Sequence, residues 1–277
     1  MDSTNYDHIH NIFSVDTINE IQPDFILISN PTVLHASTLL SLTSFNIPLF
    51  IEKPVLHNLD SAPILLDWIT NKSIKNYIAC NLRFLDSLVY VKNEVLKSPS
   101  ALNEVNVYAG SYLPDWRPNK NFRNTYSANA SMGGGVHLDL IHELDYIYWM
   151  FGKPKQTNAV LRSVSSLSID AVDYANYSCM YDSFTVNVIL NYYRKDSKRT
   201  LELVFNEGTI LVDLLLNKIS SSDGTVLFQS NQTVFDTYKS QMRYFLEYLK
   251  SDTLYSMNDF NQGLDVLKIG LENDIKR

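Results

Sequence analysis

The spacing of apolar residues changes once along this chain, and the change divides it in two. Before residue 98, short continuous apolar runs alternate with stretches of helical period. Phe25–Ser29 (FILIS), Pro48–Ile51 and Tyr77–Ala79 read as strands buried on both faces, the habit of parallel sheets. Val33–Phe45, Asp60–Asn71 and Leu85–Lys97 read as helices between and after them. Strands alternating with helices of that length predict βαβ units. Ser98-Pro99-Ser100 is the predicted boundary. Beyond it the pattern turns to period two, in Glu104–Ser111, Tyr174–Met180, Phe184–Tyr192, Thr200–Phe205 and Thr209–Leu215. Turn-rich links such as Asn206-Glu207-Gly208 and Ser222-Asp223-Gly224 join the later strands, which predicts an open, mostly antiparallel sheet. Two helices, about Val234–Lys250 and Phe260–Lys276, close the chain, the second capped by Asn258. The expected fold is therefore α/β. A parallel sheet over residues 1–98 precedes an α+β domain over 99–277, and the last helix is expected to pack back on the first unit.

Composition narrows the function classes. The chain has 277 residues, 45% of them hydrophobic, enough to fill two cores. A net charge of -7 and a pI near 5.3, without a basic run, argue against nucleic acid or anionic lipid as partner. Cys80 and Cys179 lie far apart and read as buried free thiols of a reducing compartment. The N-terminal MDSTNYDHIHNIF lacks the features of a signal peptide, and the most apolar run, Ile210–Leu216, is short and contains Asp213. The expectation is a cytoplasmic protein with no membrane span.

Candidate chemistry centres on Met132–Gly152, MGGGVHLDLIHELDYIYWMFG. As one helix, it would turn Leu140, Leu144, Ile147 and Phe151 to the core and Asp139, His142, Glu143 and Tyr146 to the other side. Asp139 and His142, three apart, would stand about 5–6 Å from each other as an acid–base pair. The glycines would let a ligand or a second backbone approach the helix start. The competing reading is an amphipathic helix with a solvated polar face. His137-x-Asp139-x-x-His142 also has the look of metal-ligand spacing. Five helical residues put the two histidines about 140° apart, however, so no metal is expected. Glu52-Lys53-Pro54 ends a buried strand, where open α/β sheets bind ligands and where an ammonium can stabilise developing negative charge.

NPTVLH (Asn30–His35), EKP (Glu52–Pro54), NLRF (Asn81–Phe84) and GGGVHLDLIHELDY (Gly133–Tyr146) together resemble one family in order and spacing. It is the glucose–fructose oxidoreductase / inositol dehydrogenase / rhizopine-catabolism group (Gfo/Idh/MocA). The resemblance implies that Asn30, Pro31 and Thr32, with His35, lie against a dinucleotide, NAD or NADP, and that Glu52 stands near the nicotinamide ribose. It implies that Lys53 contacts the reacting hydroxyl, that Asp139 and His142 are the acid–base pair, and that Pro54 shapes its turn through a cis bond. Arg83 of NLRF, with Tyr112, Trp116 and Arg117 of the aromatic loop Ser111–Ala128, is implied to bind substrate. That loop also holds Arg123 and Tyr126. Aromatic faces and guanidinium forks suit sugar rings and their acidic groups, although such a loop can equally be packed by its own aromatics.

The implied activity is NAD(P)-dependent oxidation or reduction of a sugar or nucleotide-sugar, in surface-polysaccharide biosynthesis, by a homo-oligomer built through the second sheet. One departure qualifies it. Family members open with a strand, a G-x-G-x-x-G turn and a helix that cradle the diphosphate. In this chain no glycine precedes Gly110, so the resemblance implies a partial Rossmann-type parallel sheet over residues 1–98. A start placed too late and a shortened product account for this equally, and the alternative function is a remnant that binds a sugar or a partner. Either way, weak dinucleotide binding and self-association through the exposed first strand are expected.

Overall fold

The computed structural model describes residues 11–273. The leading polar segment up to His10 and the predicted end of the last helix beyond Asn273 lie outside them. After a short helix α1 (Ile18–Ile21), the chain builds β1 (Ile26–Ile28), α2 (His35–Ser41), β2 (Leu49–Glu52), α3 (Ala62–Asn71), β3 (Asn76–Ala79) and α4 (Asp86–Asn93). The strands form a parallel sheet in the order β1-β2-β3, with Leu27, Phe50 and Tyr77 in one row across it. The rest of the strands, β4 (Leu102–Tyr112), β5 (Gln156–Arg162), β6 (Tyr174–Met180), β7 (Thr185–Asn191), β8 (Tyr193–Phe205), β9 (Gly208–Asp213), β10 (Lys218–Ser221) and β11 (Val226–Gln229), form one sheet of order β11-β10-β9-β8-β4-β7-β6-β5. Only its β4–β7 pairing is parallel, so the sheet is mostly antiparallel as expected.

Period-two alternation decides which side of the large sheet is buried. Val105, Val107 and Ala109 of β4, Val186, Val188 and Leu190 of β7, and Leu201 and Leu203 of β8 face inward and are buried. Against that face lie α5 (Val136–Asp139), α6 (His142–Phe151) and α8 (Phe260–Leu271), with Tyr177 of β6 donating to the Gly270 carbonyl at 2.7 Å. Asn106, Tyr108, Asn187 and Ile189 line the outer face, where a cavity of about 600 Å³ opens.

The two C-terminal helices return to the parallel sheet. α7 (Val234–Lys250) starts from a capping box between Thr233 and Asp236 and lays Phe245 on Phe25 and Phe50 at centroid distances of 5.2 and 5.1 Å. α8 is capped by Asp259, whose side chain accepts from the Gln262 N–H, and not by Asn258. Asn258 is wholly buried and does a different task, exchanging hydrogen bonds with both backbone groups of Ile78 on the outer edge of β3. At the opposite edge, β1 pairs only with β2 among the described residues. Its Leu27 is 44% exposed on the face that carries Phe50. An unpaired apolar edge of this kind recruits other strands. Light scattering over a concentration series is expected to show association of this chain, and a concentration-independent monomer would contradict it.

Candidate active site

The carboxyl end of β2 delivers Glu52 and Lys53, and the Lys53–Pro54 bond is cis. From there the Lys53 ammonium donates to the Asp139 carbonyl at 2.8 Å, across 86 residues of chain. An ammonium has three donors, so two remain for a ligand. Burial raises the pKa of the Glu52 carboxyl, and Lys53 opposes that rise.

Met132–Gly152 is not one helix. α5 ends at Asp139, Leu140 leaves helical geometry (φ -100°, ψ 31°), and α6 begins at His142 behind Ile141, which offers no side-chain cap. The three glycines serve close approach, Gly134 to backbone and Gly135 to the His137 ring. A Cβ on Gly134 would stand 1.9 Å from the Tyr126 carbonyl oxygen, and one on Gly133, where φ is +76°, would crowd His57 and Val33. The expected solvated polar face is absent too. Asp139, His142, Glu143, Asp145 and Tyr146 are all buried, because the large sheet covers one side of these helices and α8 with the first unit covers the other.

Each buried polar group here has its own arrangement. Tyr192, just after β7, donates its hydroxyl to Asp139 Oδ2 at 2.5 Å. Burial, then the nearby Asp139 carboxylate, raises the pKa of that phenol well above its ordinary value. Arg199 of β8 grips Glu143 with a two-pronged fork, Nε to Oε1 at 2.5 Å and Nη2 to Oε2 at 3.1 Å. The His142 ring has a buried Nδ1 without a partner, so no hydrogen bond from that nitrogen joins it to Asp139. Burial holds the His142 pKa well below 6.5, and Lys53 and Arg199 push the same way, so the imidazole is neutral near pH 7. His137 is lowered by burial to about 4, and its ring folds over Gly135. Among the described residues no three His, Cys, Asp or Glu side chains are grouped as metal ligands.

The other expected site residues divide. Trp116 sets its indole edge-on to Tyr192 at 5.4 Å and donates its N–H to Ser111, while the Arg117 guanidinium lies 5.3 Å over Tyr126. Tyr126 lies close enough to Asp139 for that carboxylate to add to the rise burial gives its pKa. The structure thus brings Trp116, Arg117 and Tyr126 to the Asp139 side, and Tyr112 stands one step out, under Lys195. Asn30, Pro31 and Thr32 occupy the loop after β1, with Asn30 Oδ1 a buried acceptor lacking a donor.

Two expectations are corrected. His35 is buried, with Nδ1 3.2 Å from the Val55 carbonyl and Nε2 3.0 Å from that of Asn30. Burial keeps the ring neutral, so it donates to one of these carbonyls only, and both ring nitrogens face the protein's own backbone. Arg83 cannot reach substrate. Its guanidinium is sealed in, forked onto Asp145 at 2.9 and 2.8 Å, with Nη2 also on Asn258 at 3.0 Å and Nη1 on the Met257 carbonyl.

Arg199 and Tyr192 were not anticipated. The signal for Arg199 lay in the alternation of β8, because residues 199, 201 and 203 share one face and the last two are core leucines.

Residues 100–211 match the GFO/IDH/MocA C-terminal domain. The chain is also 24% identical over 136 residues to the levoglucosan dehydrogenase of Pseudarthrobacter phenanthrenivorans. Over that domain the chain resembles the Gfo/Idh/MocA family. The match to that dehydrogenase spans 48% of this chain and about a third, 34%, of the relative. Solved oxidoreductase structures share the fold at low identity. UDP-N-acetylglucosamine 3-dehydrogenase GnnA from Acidithiobacillus ferrooxidans superposes with a TM-score of 0.74 at 17% identity, covering 95% of this chain and 80% of the other. The WlbA dehydrogenase from Bordetella pertussis, in complex with NADH and UDP-GlcNAcA, gives 0.73 at 14%, covering 91% and 76%.

Proposed function

We propose that this protein is an NAD(P)-dependent oxidoreductase acting on a hydroxyl or carbonyl of a sugar or nucleotide-sugar, in surface-polysaccharide biosynthesis. The observation that carries the reading is the meeting of Lys53 with Asp139 and a buried neutral His142 at the carboxyl end of β2. That is the end of an open parallel sheet where ligands bind. Relatives that are sugar and nucleotide-sugar dehydrogenases support the substrate class.

The residues present fit one half of a dinucleotide. Asn30–Thr32 and Glu52 line the ends of β1 and β2, and the orphan Asn30 Oδ1 suits an N–H or O–H donor. For the diphosphate, the parallel sheet of the described residues offers no glycine-led turn opening a helix. A bound nicotinamide supplies the hydride acceptor or donor. His142, neutral, takes the carbinol proton in oxidation and returns it in reduction. The two spare Lys53 donors hold the substrate oxygen and stabilise it as its charge grows. Asp139, steadied by Tyr192, adds the negative charge that favours a protonated ring during transfer. Trp116 and Arg117 stand on the substrate side, with Tyr112 at the rim.

The test is turnover of NAD(P)H against a panel of sugars and nucleotide-sugars, with calorimetric titration of each dinucleotide. Lys53→Met keeps the stem and removes the charge. Turnover is expected to fall while thermal unfolding stays near that of the parent, since Lys53 contributes one hydrogen bond at the sheet mouth. A variant that unfolds instead would make Lys53 a structural partner.

A further inference from the structure

The break between α5 and α6 leaves a mechanical question at the centre of the site. Asp139 and His142 belong to different short helices, so no single helix fixes one relative to the other. Asp139 is held from outside twice, by Lys53 at its carbonyl and by Tyr192 at its carboxylate. His142 has neither support. Its Nδ1 makes no hydrogen bond, and Ile141 at the α6 start supplies no cap. The first turn is tied to the break only by backbone, the Glu143 N–H donating to the Leu140 carbonyl at a long 3.3 Å, and no side chain caps it.

The fastening present is the adjacent residue. Glu143 is completely buried, and its carboxylate takes both prongs of Arg199. A forked Arg–carboxylate pair fixes orientation as well as distance. Arg199 stands on β8, seven positions after Tyr192, so one stretch of the large sheet grips both halves of the broken helix. We propose that Arg199, through Glu143, is the positioning residue for His142: it fastens the uncapped first turn of α6 and neutralises the buried carboxylate beside the imidazole, so that the ring is held in place and uncharged.

The groups around that ring are Lys53 from the end of β2, Asp139 from α5, Glu143 and Tyr146 from α6, Arg199 from β8 and Tyr192 after β7. Tyr238 of α7 reaches the same neighbourhood through Arg199 and Glu52. Of the two carboxylates, Asp139 keeps a hydroxyl donor and Glu143 keeps a guanidinium. Removing the guanidinium alone would therefore leave a bare buried negative charge next to His142, which favours the protonated ring. Removing the carboxylate alone would leave a bare cation, which favours the neutral ring. A pair that served only to hold the fold would not move the ring in opposite directions.

The inference rests on the proposed role of His142, yet its test needs neither cofactor nor substrate. The imidazole C–H signal of His142, assigned by its loss in His142→Asn, is titrated by NMR in the full chain. The parent midpoint is expected below 6.5. In Arg199→Met it is expected to rise by about one pH unit or more, a tenfold change in ring protonation at fixed pH. In Glu143→Gln it is expected to stay at or below the parent value. If Arg199→Met does not fold, Arg199→Met/Glu143→Gln, which removes both charges with little change in bulk, decides the matter. There no bare charge is left, so the midpoint is expected to stay near the parent's while the loosened turn splits or broadens the ring signal. A midpoint within 0.2 of the parent, with one sharp signal in a folded variant, would overturn the proposal, as would a rise in Glu143→Gln equal to that in Arg199→Met (0.2 being roughly a tenth of the range His pKa values span). A midpoint shift in a parent that turns over no sugar would instead leave the positioning role standing and remove the proposed function.

Discussion

Replacing His142 with asparagine is expected to lower turnover by about 10²–10⁴, the usual weight of a general acid–base group. Asparagine is polar and smaller than the ring, so the buried site tolerates it, but it can neither take nor return a proton near neutrality. Dinucleotide affinity should barely change, because Asn30–Thr32 and Glu52 line the cofactor side and His142 does not. The pH profile carries a second signature. Burial, Lys53 and Arg199 all depress the ring's pKa, so the neutral, proton-accepting form persists below 6.5. For sugar oxidation the acid limb of the parent should therefore lie on the acid side of 6.5, and it should vanish in the variant. Undiminished steady-state turnover in His142→Asn would remove the residue from the mechanism.

Much of the fold was written in the spacing of apolar residues, and the parts that were not have identifiable causes. Tyr174–Met180 and Val234–Lys250 occupy their expected spans because clean alternation and a clean helical stripe each end at a polar break. β8 runs back to Tyr193, well before the expected Thr200. Its first half, YRKDSKR, has no apolar face to show, and it is a strand because β4 offers it a partner out to Tyr112. The helix expected over Leu85–Lys97 stops at Asn93, with only a single tight turn after it. At the site, the sequence placed Lys53, Asp139 and His142 in one constellation, and the structure gathers them. The helix break at Leu140 was not readable, since both halves keep the helical period across it. Burial of the polar face was equally hidden. Glu143, Asp145 and Tyr146 look like solvent-facing residues until Arg199 and Arg83, 56 residues after Glu143 and 62 before Asp145, are brought up to them.

Arg83 supplies the sharpest contrast between a motif and its use. Its guanidinium joins Asp145 of α6, Asn258 and the Met257 carbonyl ahead of α8, and Gln262 of α8, directly after β3. Four segments of the molecule converge on that one group. Arg83→Met is expected to destabilise the fold by about 3–5 kcal/mol, because it strands the buried Asp145 carboxylate without its cation. Asn258 still offers Asp145 one amide donor at 3.3 Å, too little to replace a two-pronged cation. Adding Asp145→Leu to that variant should recover part of the loss, since a buried ion pair exchanged for apolar bulk is often near neutral. Recovery should be incomplete, because the Met257 carbonyl and the Asn258 amide oxygen lose their donor in both variants. Urea unfolding of the three chains measures this directly. Were Arg83 a substrate ligand, Arg83→Met would unfold with the parent and its defect would appear as a raised KM. An unchanged unfolding midpoint would therefore return Arg83 to the substrate site and undo the account of the convergence around it.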